Sequence, residues 1–277
     1  MDWTEDAIDR ALAEDLSSGD ITTDSLITPE TPGKGKLIVK EEGILAGIEV
    51  AARVFNKVEP SLDFQKLIHD GSKVTPGDVV ATVCGSVSGI LKAERTALNF
   101  LQHMSGIATT TARYVGEVSG LRARILDTRK TIPGMRYLEK YAVRTGGGQN
   151  HRQSLGDMIL IKDNHLAILN SRGINLREAV AMTRRTSFKI EVEVESIDQV
   201  SEALEAGADI IMLDNMDVEQ MRLAVELCDG RVKLEASGGI TLSNARAVAE
   251  TGVDFISIGA LTHSSKALDI SLELEMY

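Results

Sequence analysis

Between residues 122 and 162 the chain carries nine Lys or Arg against three Asp or Glu. The basic side chains are spaced to converge: Arg129, Lys130, Arg144, His151, Arg152 and Lys162. Arginine forks grip carboxylates in bidentate fashion, and lysine holds phosphate or carboxylate as a point charge. Asp127, Glu139 and Asp157 are the acids within reach along the chain, so the cations are in surplus. That surplus predicts a pocket for a polyanion. Gly146-Gly147-Gly148 stands just before Asn150-His151-Arg152, where a backbone without side chains can approach something closely. The rest of the chain is acidic: the net charge is −11, and residues 191–217 hold nine acids and no Lys or Arg. A basic island in an acidic protein is a local anion site rather than a nucleic-acid surface.

The acids carry complementary chemistry. Glu191-Val-Glu193-Val-Glu195 alternates with period two, so the glutamates share one side of a strand. Glu193 and Asp214 suit a hard cation such as Mg²⁺, which takes carboxylates while keeping waters and phosphate oxygens. Asp214 could equally start the helix that follows it. The five histidines (His69, His103, His151, His165, His263) show no zinc-ligand spacing. Ser237-Gly238-Gly239 and Gly259-Ala260-Leu261, the latter before Thr262-His263, read as phosphate-cradling loops.

These groups need elements to position them. From about residue 120, short β-branched-rich apolar runs recur at 123–126, 158–161, 188–194, 209–213, 232–234 and 254–258, with helical stretches between most of them, such as 197–206 and 244–251. This is the pattern of a parallel α/β sheet, either open and doubly wound or closed as a barrel. Nearly every run ends in a polar or glycine cluster, which puts the chemistry at the carboxyl ends of the strands. Before residue 120 the pattern is mixed. An amphipathic helix covers 4–16, short strands broken by glycine follow, and 94–112 reads as a helix or a broken helix pair, with Gly106 the candidate break.

Composition limits the remaining classes. No run of about 18 apolar residues is present, so no membrane-spanning helix is expected. The start, Met1-Asp2-Trp3-Thr4-Glu5-Asp6, is acidic and unlike a secretory leader. Cys84 and Cys228 form neither a metal pattern nor a redox pair, and read as reduced thiols of the cytoplasm.

The motifs themselves resemble the quinolinate phosphoribosyltransferase family. The resemblance rests on Asp127-Thr-Arg-Lys-Thr-Ile-Pro-Gly-Met-Arg136, Glu139-Lys-Tyr-Ala-Val-Arg144, Gly146-Gly-Gly-Gln-Asn-His-Arg152 and Ile161-Lys-Asp-Asn-His165. Glu94-Arg-Thr-Ala-Leu-Asn99, Leu213-Asp-Asn215, Glu235-Ala-Ser-Gly-Gly239, Gly259-Ala-Leu-Thr-His-Ser264 and Glu14 through Thr23 match in the same order. It implies an α/β fold, with an N-terminal α/β sandwich domain over 1–110 and a C-terminal open β/α-barrel over 111–265. The tail, 266–277, would pack back on the first domain.

The resemblance also implies an activity: transfer of phosphoribosyl from phosphoribosyl pyrophosphate to quinolinate, with decarboxylation, in NAD biosynthesis. It implies Mg²⁺, and a homodimer whose sites are built from two subunits. Arg95, reaching in from the partner, with Arg129, His151, Arg152 and Lys162, would bind the quinolinate carboxylates. Thr128 would bind substrate, and Lys130 would contact phosphoribosyl pyrophosphate or act as a catalytic lysine, with Glu193 and Asp214 also catalytic. Glu193 and Asp214 would serve the metal directly or through water. Ser237, Gly238, Gly239, Gly259, Ala260 and His263 would hold the phosphate end. Two other readings share these motifs: a related barrel from molybdenum-uptake operons, and a non-catalytic barrel that binds phosphorylated ligands.

Overall fold

A computed structural model describes residues 2–184 and 187–276. In chain order it begins with α1 (Trp3–Leu16), α2 (Ile21–Leu26), β1 (Pro32–Val39), β2 (Gly43–Ile44), α3 (Ile48–Val58), β3 (Asp63–Lys66), β4 (Lys73–Val74), β5 (Val79–Ser86) and α4 (Val87–Glu117). Then come β6 (Arg124–Leu126), α5 (Arg136–Thr145), β7 (Ile159–Ile161), α6 (Asp163–Asn170), α7 (Leu176–Thr183), β8 (Ile190–Val194) and α8 (Ile197–Ala206). The chain closes with β9 (Ile210–Asp214), α9 (Val218–Cys228), β10 (Lys233–Ser237), α10 (Ala245–Ala249), β11 (Phe255–Ser257), α11 (Ala260–His263) and β12 (Ile270–Met276).

Two compact units result. The first comprises Met1–Ala112, Thr131–Gly147 and Ala260–Tyr277; the second comprises Arg113–Lys130 and Gly148–Gly259. The ends Met1 and Tyr277 lie outside the described residues. The sequence places one boundary near residue 110; in the structure residues 131–147 and 260–265 also pack with the first unit. The reason is packing. Leu138, Ala142 and Val143 of α5 are buried, the Tyr141 hydroxyl donates to Asp70 at 2.7 Å, and Gly146 lies so close to α4 that a Cβ would overlap the Ala108 carbonyl.

In the first unit an antiparallel sheet runs β12-β1-β5-β3, with β2 and β4 paired separately. Its core holds Leu37, Val39, Ala81, Val83, Ile90 and Leu98. Helix α4 runs 31 residues without interruption, so Gly106 does not break it. Instead a Cβ at Gly106 would overlap the Lys266 carbonyl, so the glycine lets the C-terminal segment lie against the helix. Such close approach is worth the helix propensity that glycine gives up.

The second unit is a parallel sheet of six strands in the order β6-β11-β10-β9-β8-β7. From β7 to β11, each strand pairs with the next in sequence, which is the economical connection for βα repeats. Among the described residues β6 and β7 are the edges, so the sheet stays open, apart from a single bridge between Leu126 and Gln149. Buried Ile190, Val192 and Val194 alternate along β8 with Glu191 and Glu193. The helices are capped by residues that the sequence supplies at the right places. Ser196 accepts from the Gln199 N–H to start α8, and Gly207 at φ 82° ends it. Asp217 and Gln220 form the capping box of α9.

Candidate active site

The carboxyl edge of the second unit's sheet forms a cavity of about 580 Å³. It gathers Thr128, Arg129 and Lys130 after β6, His151 and Arg152 after the bridge at Gln149, and Lys162 after β7. Glu193 on β8, Asp214 ending β9, and Ser237, Gly238 and Gly239 ending β10 complete the set. Leu160, Met212, Asn215 and Ser257 line it too, and the sequence reading did not single them out.

Not every expected residue is in this cavity. Arg95 belongs to the first unit, exposed, and lines a separate hollow of about 320 Å³ with Asn99 and His103. Asn99 and His103 follow Arg95 at helical spacing on α4. Gly259 ends the second unit, while Ala260 and His263 belong to the first. His263 is exposed, its Nδ1 2.6 Å from Ser264 Oγ. Arg144 falls in the first unit, with its guanidinium 5.8 Å from the Tyr141 ring centroid. The close approach that Gly146 permits is to the backbone of α4.

The local acids turn out to be structural. Asp127 is fully buried and fixes the following loop, accepting from Asn150 Nδ2 at 2.6 Å and from the His151 N–H at 2.8 Å. Asp157 closes the turn at residues 153–154 by accepting from both backbone N–H groups and the Ser154 hydroxyl. Glu139, in the first unit, is paired with His103 at 2.9 Å. These acids therefore organise loops and helices. Burial, with Arg129 nearby, pushes the Arg152 pKa down, as expected where cations crowd around a site built for an anion.

Lys162 Nζ meets Glu193 Oε2 at 2.8 Å, a pair only 10% exposed on the glutamate side. A residue expected to hold the anion and one expected to serve the cation thus neutralise each other. Asp214 accepts from Asn215 Nδ2 at 2.7 Å, while the cap of α9 is Asp217, not Asp214. Asn215 sits in the left-handed region at φ 54°, and its N–H donates to the Ser237 carbonyl at 2.8 Å, tying the ends of β9 and β10 together. Gly238, at φ 88°, lies where a Cβ would overlap Asn215 Oδ1. Only glycine satisfies both demands.

Beneath the cavity lies a cluster that the sequence reading missed. His151 Nε2 stands 2.9 Å from Glu191 Oε2 and 3.7 Å from Glu235 Oε1, and Ser257 Oγ donates to Glu235 Oε1. Glu191 is fully buried and Glu235 is 1% exposed. Burial first, then the charge of Glu191, pushes the Glu235 carboxyl up to about 8. Two adjacent buried carboxylates do not both ionise readily, so Glu235 keeps its proton at neutral pH. The signal was available in part. Period two already put Glu191 beside Glu193, and the register aligns Glu193, Met212 and Glu235 across three strands. The alignment of β8 with β10 is a tertiary fact, so the pair was invisible in the chain.

An open parallel sheet with a cationic, glycine-looped pocket at its carboxyl edge defines an α/β enzyme that handles polyanions. Residues 20–105 match the model described as Quinolinate phosphoribosyl transferase, N-terminal domain, and residues 107–273 match that of the C-terminal domain. The chain belongs to the quinolinate phosphoribosyl transferase family.

It is 46% identical over 280 residues to a nicotinate-nucleotide pyrophosphorylase [carboxylating] of Mycobacterium leprae, covering 99% of this chain and 98% of that protein. It is 42% identical to a mitochondrial quinolinate phosphoribosyltransferase [decarboxylating] of Nicotiana glauca, over 96% of this chain and 80% of that one. The crystal structure of NadC from Streptococcus pyogenes superposes with a TM-score of 0.94 at 43% identity, covering 99% of this chain and 96% of that one.

Proposed function

We infer that this enzyme transfers phosphoribosyl from phosphoribosyl pyrophosphate to quinolinate and releases CO2, giving nicotinate mononucleotide and pyrophosphate for NAD biosynthesis. One observation carries the reading: Arg129, Arg152, His151 and Lys162 share one cavity with Glu193, Asp214 and the Ser237–Gly239 loop. Quinolinate is a pyridine with two adjacent carboxylates and needs clustered cations. Phosphate oxygens are met by Lys130, the Thr128 hydroxyl and backbone N–H groups around Gly238 and Gly239. As the pyrophosphate departs, positive charge develops at the ribose C1, and the carboxylates of Glu193 and Asp214 stabilise it. When the substrate dianion binds, it competes with Glu193 for Lys162. That exchange releases the Glu193 carboxylate toward the ribose just as it is needed.

Mg²⁺ fits this donor set. Glu193 and Asp214 are hard oxygen donors lining the cavity, and the number is right for an ion held mainly by substrate phosphates and waters. When bound, Mg²⁺ draws charge from the leaving pyrophosphate. Arg95 supports a homodimer with shared sites: it is exposed in the first unit and absent from the second unit's cavity. Among the described residues no helix is long and apolar enough to cross a membrane, and Cys84 and Cys228 are unpaired. Both features support a cytoplasmic enzyme.

Mixing the protein with quinolinate, phosphoribosyl pyrophosphate and Mg²⁺, and following nicotinate mononucleotide, tests the reaction. No product with quinolinate sinks the reading and favours the molybdenum-operon barrel or a ligand-binding barrel. For the shared site, Arg95→Ala and Lys162→Ala proteins are each nearly inactive and regain activity after subunit exchange. Background activity after demonstrated exchange removes Arg95 from the partner's site.

A further inference from the structure

Decarboxylation leaves an electron pair on C2 of the pyridinium ring, and that carbon needs a proton before product leaves. The catalytic groups so far assigned bind anions or stabilise positive charge. None of them has been given the task of carrying a proton to carbon. The buried cluster under the cavity can take it. His151 is its member that lines the cavity, while Glu191 and Glu235 lie behind it, fully buried or nearly so.

We propose that His151 is the general acid that protonates C2, and that Glu235 is the buried reserve from which it is resupplied. This rests on the reading of quinolinate as the substrate, with its carboxylates against the cationic wall that includes His151. Four features of the geometry support it. The residue is anchored at two points: its backbone N–H donates to Asp127, and its ring Nε2 lies 2.9 Å from Glu191 Oε2. Glu235 Oε1 stands 3.7 Å from the same nitrogen, close enough for proton transfer after a small shift. One carboxylate oxygen of each glutamate, Glu191 Oε1 and Glu235 Oε2, is buried and makes no hydrogen bond among the described residues, which is costly unless the pair holds a proton. The Ser257 hydroxyl fixes Glu235 from β11.

The charged groups around the ring are Glu191 from β8, Glu235 from β10, Asp127 at its backbone, and the neighbouring Arg152 with Arg129. The arginines draw in the substrate. The high Glu235 carboxyl keeps the reserve filled at neutral pH.

The step balances. The bond between C2 and its carboxylate carbon breaks, CO2 leaves, and the electron pair stays on C2 beside the cationic ring nitrogen. A ring N–H bond of His151 breaks and C2–H forms. In the same event Glu235 gives its proton to the imidazole, so both transfers fall within one turnover, and Glu235 is left ionised until water restores it after product release. His151 is then a catalytic residue, and Glu235 is a positioning residue that acts through it.

The test is a single-turnover rapid-quench experiment with quinolinate, phosphoribosyl pyrophosphate and Mg²⁺, which reads pyrophosphate and nicotinate mononucleotide separately. In Glu235→Gln, pyrophosphate forms within about threefold of the wild-type rate. Nicotinate mononucleotide forms about a hundredfold more slowly, the size of a lost general-acid contribution, and the dicarboxylate nucleotide accumulates. In the wild type the decarboxylation rate falls as pH rises through about 8, and in Glu235→Gln it is flat there. Ser257→Ala, which disturbs Glu235 from another strand, gives the same split more weakly and serves if Glu235→Gln fails to fold. Equal slowing of both products would make the cluster structural and overturn the proposal. So would wild-type nicotinate mononucleotide formation in both variants. If the wild-type enzyme makes no pyrophosphate from quinolinate, the substrate reading has failed and this inference goes with it.

Discussion

The two ends of the second unit's sheet use charge in opposite ways. At the amino end, Asp254 opens β11 and is met from several sides: Arg122 Nε at 2.9 Å, Lys233 Nζ at 2.7 Å and the Leu234 N–H at 3.1 Å. Burial raises its carboxyl, but the hydrogen bonds from Lys233, Leu234 and Arg122 more than offset this and hold it below the ordinary range. At the carboxyl end, burial and Glu191 lift Glu235 to about 8, and one oxygen of each glutamate makes no hydrogen bond among the described residues. A carboxylate matched by partners ties strands together. One left short of partners keeps a proton or awaits a ligand. The same residue type is structural or chemical according to how completely the fold satisfies it.

Removing a cation from the carboxyl end has the largest expected effect. Lys162→Ala lowers turnover by about a thousandfold or more, while the melting temperature moves only a few degrees, because the lysine is 45% exposed. A steady-state nicotinate mononucleotide assay beside thermal denaturation checks both halves. The amino end behaves in reverse. Asp254→Asn costs about 2 kcal/mol of stability, because its donors lose a charged acceptor. Turnover per folded molecule stays within about twofold, which urea denaturation and the same assay establish. An activity loss there as large as that of Lys162→Ala would erase the division between the two ends.

The pH dependence of stability separates them further. Glu235 has a raised folded pKa, so its contribution is complete below its ordinary pKa of 4.5 and is lost as pH rises through about 8. Asp254 has a lowered one, so its contribution is present above 3.8 and is lost as pH falls through its folded value. Melting temperature against pH therefore shows a weaker alkaline decline in Glu235→Gln and a weaker acid decline in Asp254→Asn, each by a few degrees. The smallest effect sharpens the comparison within the carboxyl end itself. Asp217 lies near that edge but is satisfied as the cap of α9. Asp217→Ala costs about 1 kcal/mol and leaves activity unchanged.

Much of this was legible in the chain. The βα rhythm after residue 120, the polar clusters ending each strand and the cationic surplus located the carboxyl-edge pocket. The motifs around Asp127–Lys130 and Gly146–Lys162 carried the family. Other features were open in the chain because one sequence feature serves several physical ends. Gly106 could break its helix or make room for packing, and the fold uses it, like Gly146, for backbone packing. Arg144 shares the charge of the basic set, and helix α5 places it in the first unit.

The sequence by itself determined which elements form and which ends of them carry chemistry, because periodicity and capping are local along the chain. Tertiary structure decided which charges meet. Lys162 finds Glu193 across adjacent strands, and His151 finds Glu191 and Glu235 from strands that are not neighbours. Burial and the number of hydrogen-bond partners set whether a carboxylate is ionised, and both depend on strand register and sheet order rather than on spacing in the chain.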